Sequence, residues 1–138
     1  MSTSGTLPLL IQLTKSIYRR ATEDVIGIKL KAYLTLAALR DGQMSQQELC
    51  TAVHMDPNNC VLMLNELEAM GFVERRRDPA DRRRHIVVMT EAGRKALAYA
   101  EQGVASLEAE VLSALTPEER VQFRAMLVRA LSREPAPV

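Results

Sequence analysis

The sequence predicts a mainly α-helical fold that carries one small β-hairpin. Apolar residues recur at helical spacing along most of the 138 residues, and strand-forming residues are concentrated in two short segments, 72–77 and 85–89. The length suits a single hydrophobic core, and no internal repeat or linker divides the chain. We therefore expect one domain over residues 1–138.

Two helices are predicted in the N-terminal part. The first is expected over about residues 7–23, where apolar residues recur at helical spacing, and Gly27 ends it. The second contains Leu36 and Leu39, three residues apart, and ends at the turn Asp41-Gly42.

A helix-turn-helix is predicted next. Ser45-Gln46-Gln47-Glu48 has the pattern of a capping box, in which the serine accepts an early backbone N–H and the glutamate reaches back to the cap residue. After a tight turn over 53–56, Asp56-Pro57 begins a second helix with a side-chain cap and a proline at the first helical position. This recognition helix, residues 57–70, ends at Gly71 because glycine suits the left-handed conformation there.

The remaining elements are a hairpin and two helices. The polar turn 78–81 and an arginine run separate the two strand-like segments, which predicts a hairpin with an exposed tip, here called the wing (residues 72–89). Thr90 caps a long helix whose apolar stripe is typical of packing on other helices. Thr116-Pro117-Glu118-Glu119 begins the last helix with a capping box. A helix-turn-helix followed directly by a hairpin is a winged helix-turn-helix.

Basic charge is concentrated in the wing. Six of the eighteen basic residues lie in residues 74–84, ERRRDPADRRR, while the whole chain has a net charge of only +1. A local basic feature on a near-neutral protein indicates a focused contact with a polyanion. A helix of this kind fits the major groove and a hairpin tip reaches the flanking minor groove or backbone, so we expect double-stranded DNA as the partner.

The chain resembles the multiple antibiotic resistance regulator (MarR) family over about residues 33–93. The segments that carry the resemblance are Ser45–Leu49, Asn65–Arg75, Asp78–Arg83 and Met89–Gly93. It implies a homodimer that binds a pseudo-palindromic operator through a lobe at about 30–90 and dimerises through helices in 1–25 and 91–135. It also implies a ligand-responsive repressor that a small phenolic or aromatic effector releases from DNA.

The resemblance assigns roles within the wing. It implies that Asp81 orients Arg83 for the minor groove, with Arg82 and Arg84 close by, and that Arg75 contacts the backbone or holds the wing. Arginine suits this task because its planar, permanently charged fork matches phosphates and narrow grooves. The alternative is that these arginines are only a solvated hairpin tip.

The recognition helix has no basic residue, although many relatives carry one on the DNA-facing side. A helical wheel places Val61, Leu64 and Leu67 inward. Asparagine can pair with adenine, glutamate can accept from cytosine, and leucine or methionine can touch a thymine methyl. The candidate base-reading residues are Asn58, Asn59, Leu62, Met63, Asn65 and Glu66. The alternative is that these are merely solvated residues, and the electrostatic attraction then depends on the wing.

Two tyrosines and two cysteines are further candidates. Tyr18 and Tyr33 lie on the first two helices, where the resemblance implies a ligand pocket, and ordinary packing is the alternative. Two cysteines cannot build a disulfide framework, so we expect Cys50 and Cys60 to be buried small hydrophobes. An exposed Cys60 would instead make the protein a redox-responsive regulator.

Several function classes are not supported by the residues. His54 and His85 have no matching ligand cluster, so we expect no metal, and we expect no cofactor. No nucleophile–base pair or phosphate loop indicates an enzyme. Without an apolar run of membrane-spanning length or a secretion signal, we expect a cytoplasmic protein without membrane contact. A winged helix used for protein–protein contact stays open, favoured by the acidic recognition helix.

Overall fold

The computed structural model describes residues 5–132 and has the mainly helical, winged architecture that the sequence predicts. In chain order its elements are α1 (Thr6–Arg20), α2 (Glu23–Ile26), α3 (Leu30–Ala38), β1 (Met44–Ser45), α4 (Gln46–Ala52), α5 (Pro57–Ala69), β2 (Val73–Arg77), β3 (His85–Met89), α6 (Glu91–Val111) and α7 (Pro117–Ser132). The ends of the expected domain and dimerisation segments, residues 1–4 and 133–138, lie outside the described residues. Within residues 5–132, no helix combines the length and apolar character needed to cross a bilayer.

The first helix is shorter than predicted. It ends at Arg20, and a separate single-turn helix, α2, follows before Gly27. Gly27 has φ 81° and therefore ends α2 rather than α1. On either side of α2, Ala21 and Ile26 are buried in one cluster with Ala100 and Leu107 of α6.

The wing is part of a three-stranded sheet rather than an isolated hairpin. The strand order is β1-β3-β2, with both neighbouring pairs antiparallel. The additional strand pairs Met44 with Val87 and Ser45 with Ile86. It anchors the base of the wing directly in front of α4, and its two residues are too few to show a strand periodicity in the sequence.

The main core lies beneath the helix-turn-helix. Leu36, Leu49, Leu64, Leu67 and Val87 are all fully buried there. They come from α3, α4, α5 and β3, so the same apolar cluster fixes the orientation of α5 against the sheet. A second cluster joins α1 and α2 to α6.

The predicted helix starts are confirmed by their caps. The side chains of Ser45, Asp56 and Thr90 each accept a backbone N–H three residues later. Thr116 and Glu119 form both bonds of a capping box, at 3.2 and 2.9 Å. At Ser45 only half of the predicted box forms, because the Glu48 carboxylate is bonded to Arg84 of the wing instead.

Candidate nucleic-acid interface

The exposed side of α5 is the candidate base-reading surface. Its exposed candidates are Asn58, Asn59, Leu62, Asn65 and Glu66. Leu62 is the clearest apolar member, with 60% of its surface exposed. These side chains lie beside the wing and are accessible to a partner.

The prediction for Met63 is wrong. Met63 is only 6% exposed and belongs to the main core, whereas Val61, which the helical wheel placed inward, is 36% exposed. The reason is that α3, α4 and β2 all contact α5, which centres its buried side on Cys60, Leu64 and Leu67. Met63 therefore stabilises the helix rather than reading bases.

Both carboxylates of Glu66 and Glu68 are paired with cations from outside α5. Lys29 Nζ lies 3.5 Å from Glu66 Oε2, and Arg75 Nη2 lies 2.9 Å from Glu68 Oε1. The side-chain hydrogen bond from Arg75, followed by the bond from its backbone N–H, lowers the pKa of Glu68. The acidic appearance of the recognition helix in the sequence is thus largely offset in the fold.

Arg75 joins β2 to the recognition helix. Its Nη2 donates to Asn65 Oδ1 at 2.5 Å as well as to Glu68, and its side chain is only 21% exposed. Arg75 was expected either to contact the DNA backbone or to hold the wing, and this geometry favours the second role. The bond also occupies the Asn65 oxygen, so the Asn65 side chain is oriented by the wing.

Three more arginines of the wing are bonded within the protein. Arg76 pairs with Glu74 at 2.7 Å on the outer face of β2, and Arg77 donates to the carbonyl oxygen of Arg82 at 2.7 Å. Arg84 Nη2 lies 3.5 Å from Glu48 Oε1, which ties the tip end of the wing to α4. Arg84 therefore helps to hold the wing against α4, and its half-exposed guanidinium also adds positive charge to the surface.

The tip of the wing presents Arg82 and Arg83. The Arg83 side chain is 92% exposed, with Nε 3.4 Å from Asp81 Oδ1. The same oxygen accepts the backbone N–H of Arg83 at 3.0 Å, which is the steadying contact expected of Asp81. Within residues 5–132 the Arg82 side chain makes no hydrogen bond or ion pair. Both guanidinium groups are accordingly available to an anion.

The tip is closed by its own backbone. Asp78 N–H donates to the carbonyl oxygen of Arg84 at 2.9 Å, and Arg84 N–H donates to that of Asp81 at 3.0 Å. The Asp78 carboxylate also accepts the N–H of Ala80 at 2.9 Å. These bonds give the two tip arginines a defined platform.

A cleft of about 790 Å³ lies between the helix-turn-helix and the wing. The histidines His54 and His85, which the sequence left unrelated, both line it, together with Arg83 and Arg84. Sequence spacing could not reveal this pairing, because the fold brings α4 and β3 together through the core. Among the described residues, no group of three potential metal ligands occurs.

The two cysteines are joined, which corrects the expectation that they are separate buried thiols. Cys50 of α4 and Cys60 of α5 form a disulfide across the turn of the helix-turn-helix, with their Cα atoms 5.7 Å apart. Cys60 is 1% exposed. The tight turn places the two helices side by side, and a buried, bonded Cys60 does not favour its role as an exposed redox sensor.

The two candidate ligand-pocket tyrosines do not line this cleft. Tyr18 on α1 is 61% exposed. Tyr33 on α3 is half-buried and packs against both core clusters, and burial raises the pKa of its hydroxyl. Beside it, Arg40 forms an ion pair with Glu101 of α6.

Comparison with known proteins agrees with this geometry. A model of the MarR family matches residues 26–84. The transcriptional regulator HosA of Escherichia coli O111:H- is 37% identical over 121 residues, covering 87% of this chain and 89% of HosA. BilQ, an HTH-type transcriptional regulator of Clostridium symbiosum, is 35% identical over 83 residues, or 60% of this chain. The chain spans 58% of the length of BilQ and 52% of that of a relative from Thauera aromatica.

Solved structures share the fold. A mutant MarR from Escherichia coli in complex with operator DNA superposes with a TM-score of 0.76, at 24% identity, over 90% of this chain and 91% of that one. HosA and BilQ are both transcriptional regulators, the class of protein that the sequence predicts. The chain therefore belongs to the MarR family of transcriptional regulators.

Proposed function

We propose that this chain is a sequence-specific repressor that binds double-stranded DNA as a homodimer in the cytoplasm. The observation that carries the proposal is the pair of tip arginines, Arg82 and Arg83, whose guanidinium groups project from a hydrogen-bonded platform beside the exposed side of α5. A permanently charged fork held in this way suits phosphates and a narrow minor groove. The solved complex of a MarR with operator DNA supports this partner for the same fold.

The charge distribution of α5 supports the proposal. The carboxylates of Glu66 and Glu68 each have a cationic partner, so the helix approaches DNA with less repulsion than its sequence indicates. Asn58, Asn59 and Leu62 remain exposed for base edges. In this arrangement the wing supplies the long-range attraction and α5 supplies the base contacts.

The terminal helices support a homodimer. Neither α1 nor α7 has a buried residue, although both are rich in large apolar side chains. The exposed ones are Leu7, Leu9, Leu10, Ile11 and Tyr18 on α1 and Val121, Met126, Leu127, Val128 and Leu131 on α7. Apolar surface of this extent indicates a protein partner, and we propose that a second copy covers it. Two copies would then present two reading lobes to a pseudo-palindromic operator.

A small-molecule effector completes the proposed function. The family resemblance implies that a small phenolic or aromatic acid releases the DNA. Tyr33 is placed between the two core clusters, next to the Arg40–Glu101 pair, where a ligand could alter the angle between the terminal helices and the lobe. A thermal shift with benzoate derivatives would test for such a ligand.

The main test is DNA affinity measured against salt, with a duplex selected from a random pool. Binding should weaken steeply as salt rises, because contacts to phosphates release counterions. Replacing both Arg82 and Arg83 by alanine removes four arginines from the dimer, so it should reduce the slope of log K against log salt by about four and weaken binding more than about ten-fold. The matched pair of single variants is Arg83→Ala at the tip and Arg76→Ala on the outer face of β2. Each removes one positive charge, and Arg76→Ala should change little.

Two outcomes would contradict the proposal. A wild-type protein whose binding is absent or independent of salt would indicate a winged helix that contacts proteins instead. Equal losses in the Arg76 control and the tip variant would show that only the overall charge matters, and not the position of the tip arginines.

A further inference from the structure

The chain has two histidines, and the fold brings both to one cleft. His54 lies in the turn between α4 and α5, and His85 is the first residue of β3, next to the tip loop of the wing. Both are exposed, and Arg83 and Arg84 line the same cleft. Four side chains that carry or can acquire positive charge thus converge from two separate elements.

The backbone at His54 is unusual. Among residues 5–132, His54 is the non-glycine residue with a positive φ, 55°. The other left-handed positions are glycines, which adopt this conformation at little cost, whereas a larger side chain is disfavoured there. Local hydrogen bonds hold the turn, from His54 N–H to the Thr51 carbonyl oxygen and from Met55 N–H to that of Cys50, both at 3.1 Å. The turn thus holds an imidazole at the rim of the cleft, and strained positions of this kind concentrate at functional sites.

The acidic groups around the cleft are already occupied. Glu48 of α4 is paired with Arg84 at 3.5 Å, and Asp81 accepts from Arg83. The Asp56 carboxylate accepts the N–H of Asn59 at 2.9 Å and its Nδ2 at 2.6 Å, and these bonds lower the pKa of Asp56.

Glu68 of α5 is bonded to Arg75. The hydroxyls of Ser45 and Thr51 and the amides of Gln46 and Gln47 also line the cleft. Within residues 5–132 the side chains of His54 and His85 make no hydrogen bond or ion pair, so these two groups of the cleft are free to contact an anion.

We propose that this cleft is a phosphate-binding notch, in which His54 and His85 contact the DNA backbone between the helix-turn-helix and the wing and make DNA affinity increase as pH falls below neutral. The inference rests on the DNA binding proposed above. The location fits a backbone phosphate, because a duplex that contacts both α5 and the wing tip must pass its phosphates across the junction between them. Histidine is the side chain that ordinarily changes charge between about pH 5 and 8, whereas a phosphodiester stays ionised throughout this range.

The test measures affinity for the selected duplex at about pH 6 and about pH 8, at constant ionic strength, with the full-length protein. The variants are His54→Asn, His85→Gln and the double variant. Asparagine is chosen because it tolerates the left-handed conformation of residue 54. The α-amino group titrates in the same range but is retained in every variant, so it cancels in the comparison.

The wild type should bind about five-fold or more tightly at the lower pH, with a steeper salt slope there. The double variant should lose this difference while keeping about the wild-type affinity at pH 8. Arg83→Ala should bind more weakly at both pH values and keep the pH dependence. Thermal unfolding at both pH values verifies folding, and His54→Gly replaces His54→Asn if that variant is unstable.

The outcomes separate the two proposals. A wild type that binds DNA equally at both pH values, or a double variant that keeps the full pH effect, would overturn the notch and leave the DNA-binding function in place. A wild type that binds no duplex at either pH would overturn both.

Discussion

Arg75 and Glu68 are bonded twice, since the backbone N–H and the guanidinium of the arginine donate to the two oxygens of one carboxylate, at 3.2 and 2.9 Å. These two hydrogen bonds join the first strand of the wing to the last turns of the recognition helix. Two surfaces that we propose to contact different parts of a duplex are thereby held in one geometry. Arg84 and Glu48 make a second connection at the opposite end of the wing.

We expect Glu68→Ala to weaken DNA binding about five-fold, which corresponds to the upper end of what an exposed ion pair contributes. The charge of the protein becomes more positive, so simple electrostatics predicts tighter binding, and a loss would identify the positioning role. Glu74→Ala is the matched control because Glu74 pairs with Arg76 on the outer face of β2. Electrophoretic mobility shifts with one duplex would measure both. Tighter binding by the Glu68 variant would show that the wing does not need this connection.

The same pair predicts a dependence of stability on acid pH. Hydrogen bonds from Arg75 lower the pKa of Glu68 in the folded state, so the unfolded state binds a proton more readily. The stabilisation is fully present above the ordinary glutamate pKa of about 4.3 and is lost as the pH falls through the lower folded-state value. Asp56 behaves in the same direction, since its cap bonds to Asn59 lower its pKa.

Urea unfolding between about pH 7 and pH 3 would measure this effect, and Glu68→Gln should flatten the acid limb of the curve. Glu74→Gln serves as the comparison, because Glu74 takes no part in the Arg75–Glu68 contact. A Glu68→Gln profile parallel to that of the wild type would mean that the carboxylate contributes nothing to acid unfolding.

The recognition helix divides into residues that fold it and residues that are free to read DNA. Met63→Ala should destabilise the protein by about 3 kcal/mol, because the truncated side chain leaves a cavity in the main core. Leu62→Ala, at the neighbouring exposed position, should change stability by less than about 0.5 kcal/mol and alter the preferred bases instead. Chemical unfolding and selection from a random duplex pool distinguish the two effects. A stable Met63 variant with altered base preference would restore Met63 to the reading surface.

Local signals account for what the sequence predicted well. The starts of α4, α5, α6 and α7 were visible because Ser45, Asp56, Thr90 and Thr116 each cap a helix through residues three positions away. The wing followed from strand-forming residues around a polar turn. The contact between Asp81 and Arg83 was expected from the family resemblance.

Contacts between distant segments account for the rest. The burial of Met63 depends on three elements that pack around α5, and a helical wheel contains none of them. The Cys50–Cys60 bond and the shared cleft of His54 and His85 likewise arise only when the helices and the sheet are assembled. The break after Arg20 reflects the packing of Ala21 against α6.

The last prediction concerns the exposed apolar surface of α7, which we propose to be part of the dimer interface. Val128 lies on α7, is 52% exposed, and belongs to the apolar surface that we assign to the second copy. A carboxylate placed there would be buried without a partner on association, which costs far more than it does in a monomer where the position faces water. Val128→Glu should therefore shift the dimer toward monomers by about ten-fold or more in dissociation constant, with the folded lobe intact. Gln122→Glu adds the same charge at a polar position of α7 and should leave the dimer in place. Analytical ultracentrifugation would measure both, and a Val128→Glu protein that sediments as a wild-type dimer would remove α7 from the interface.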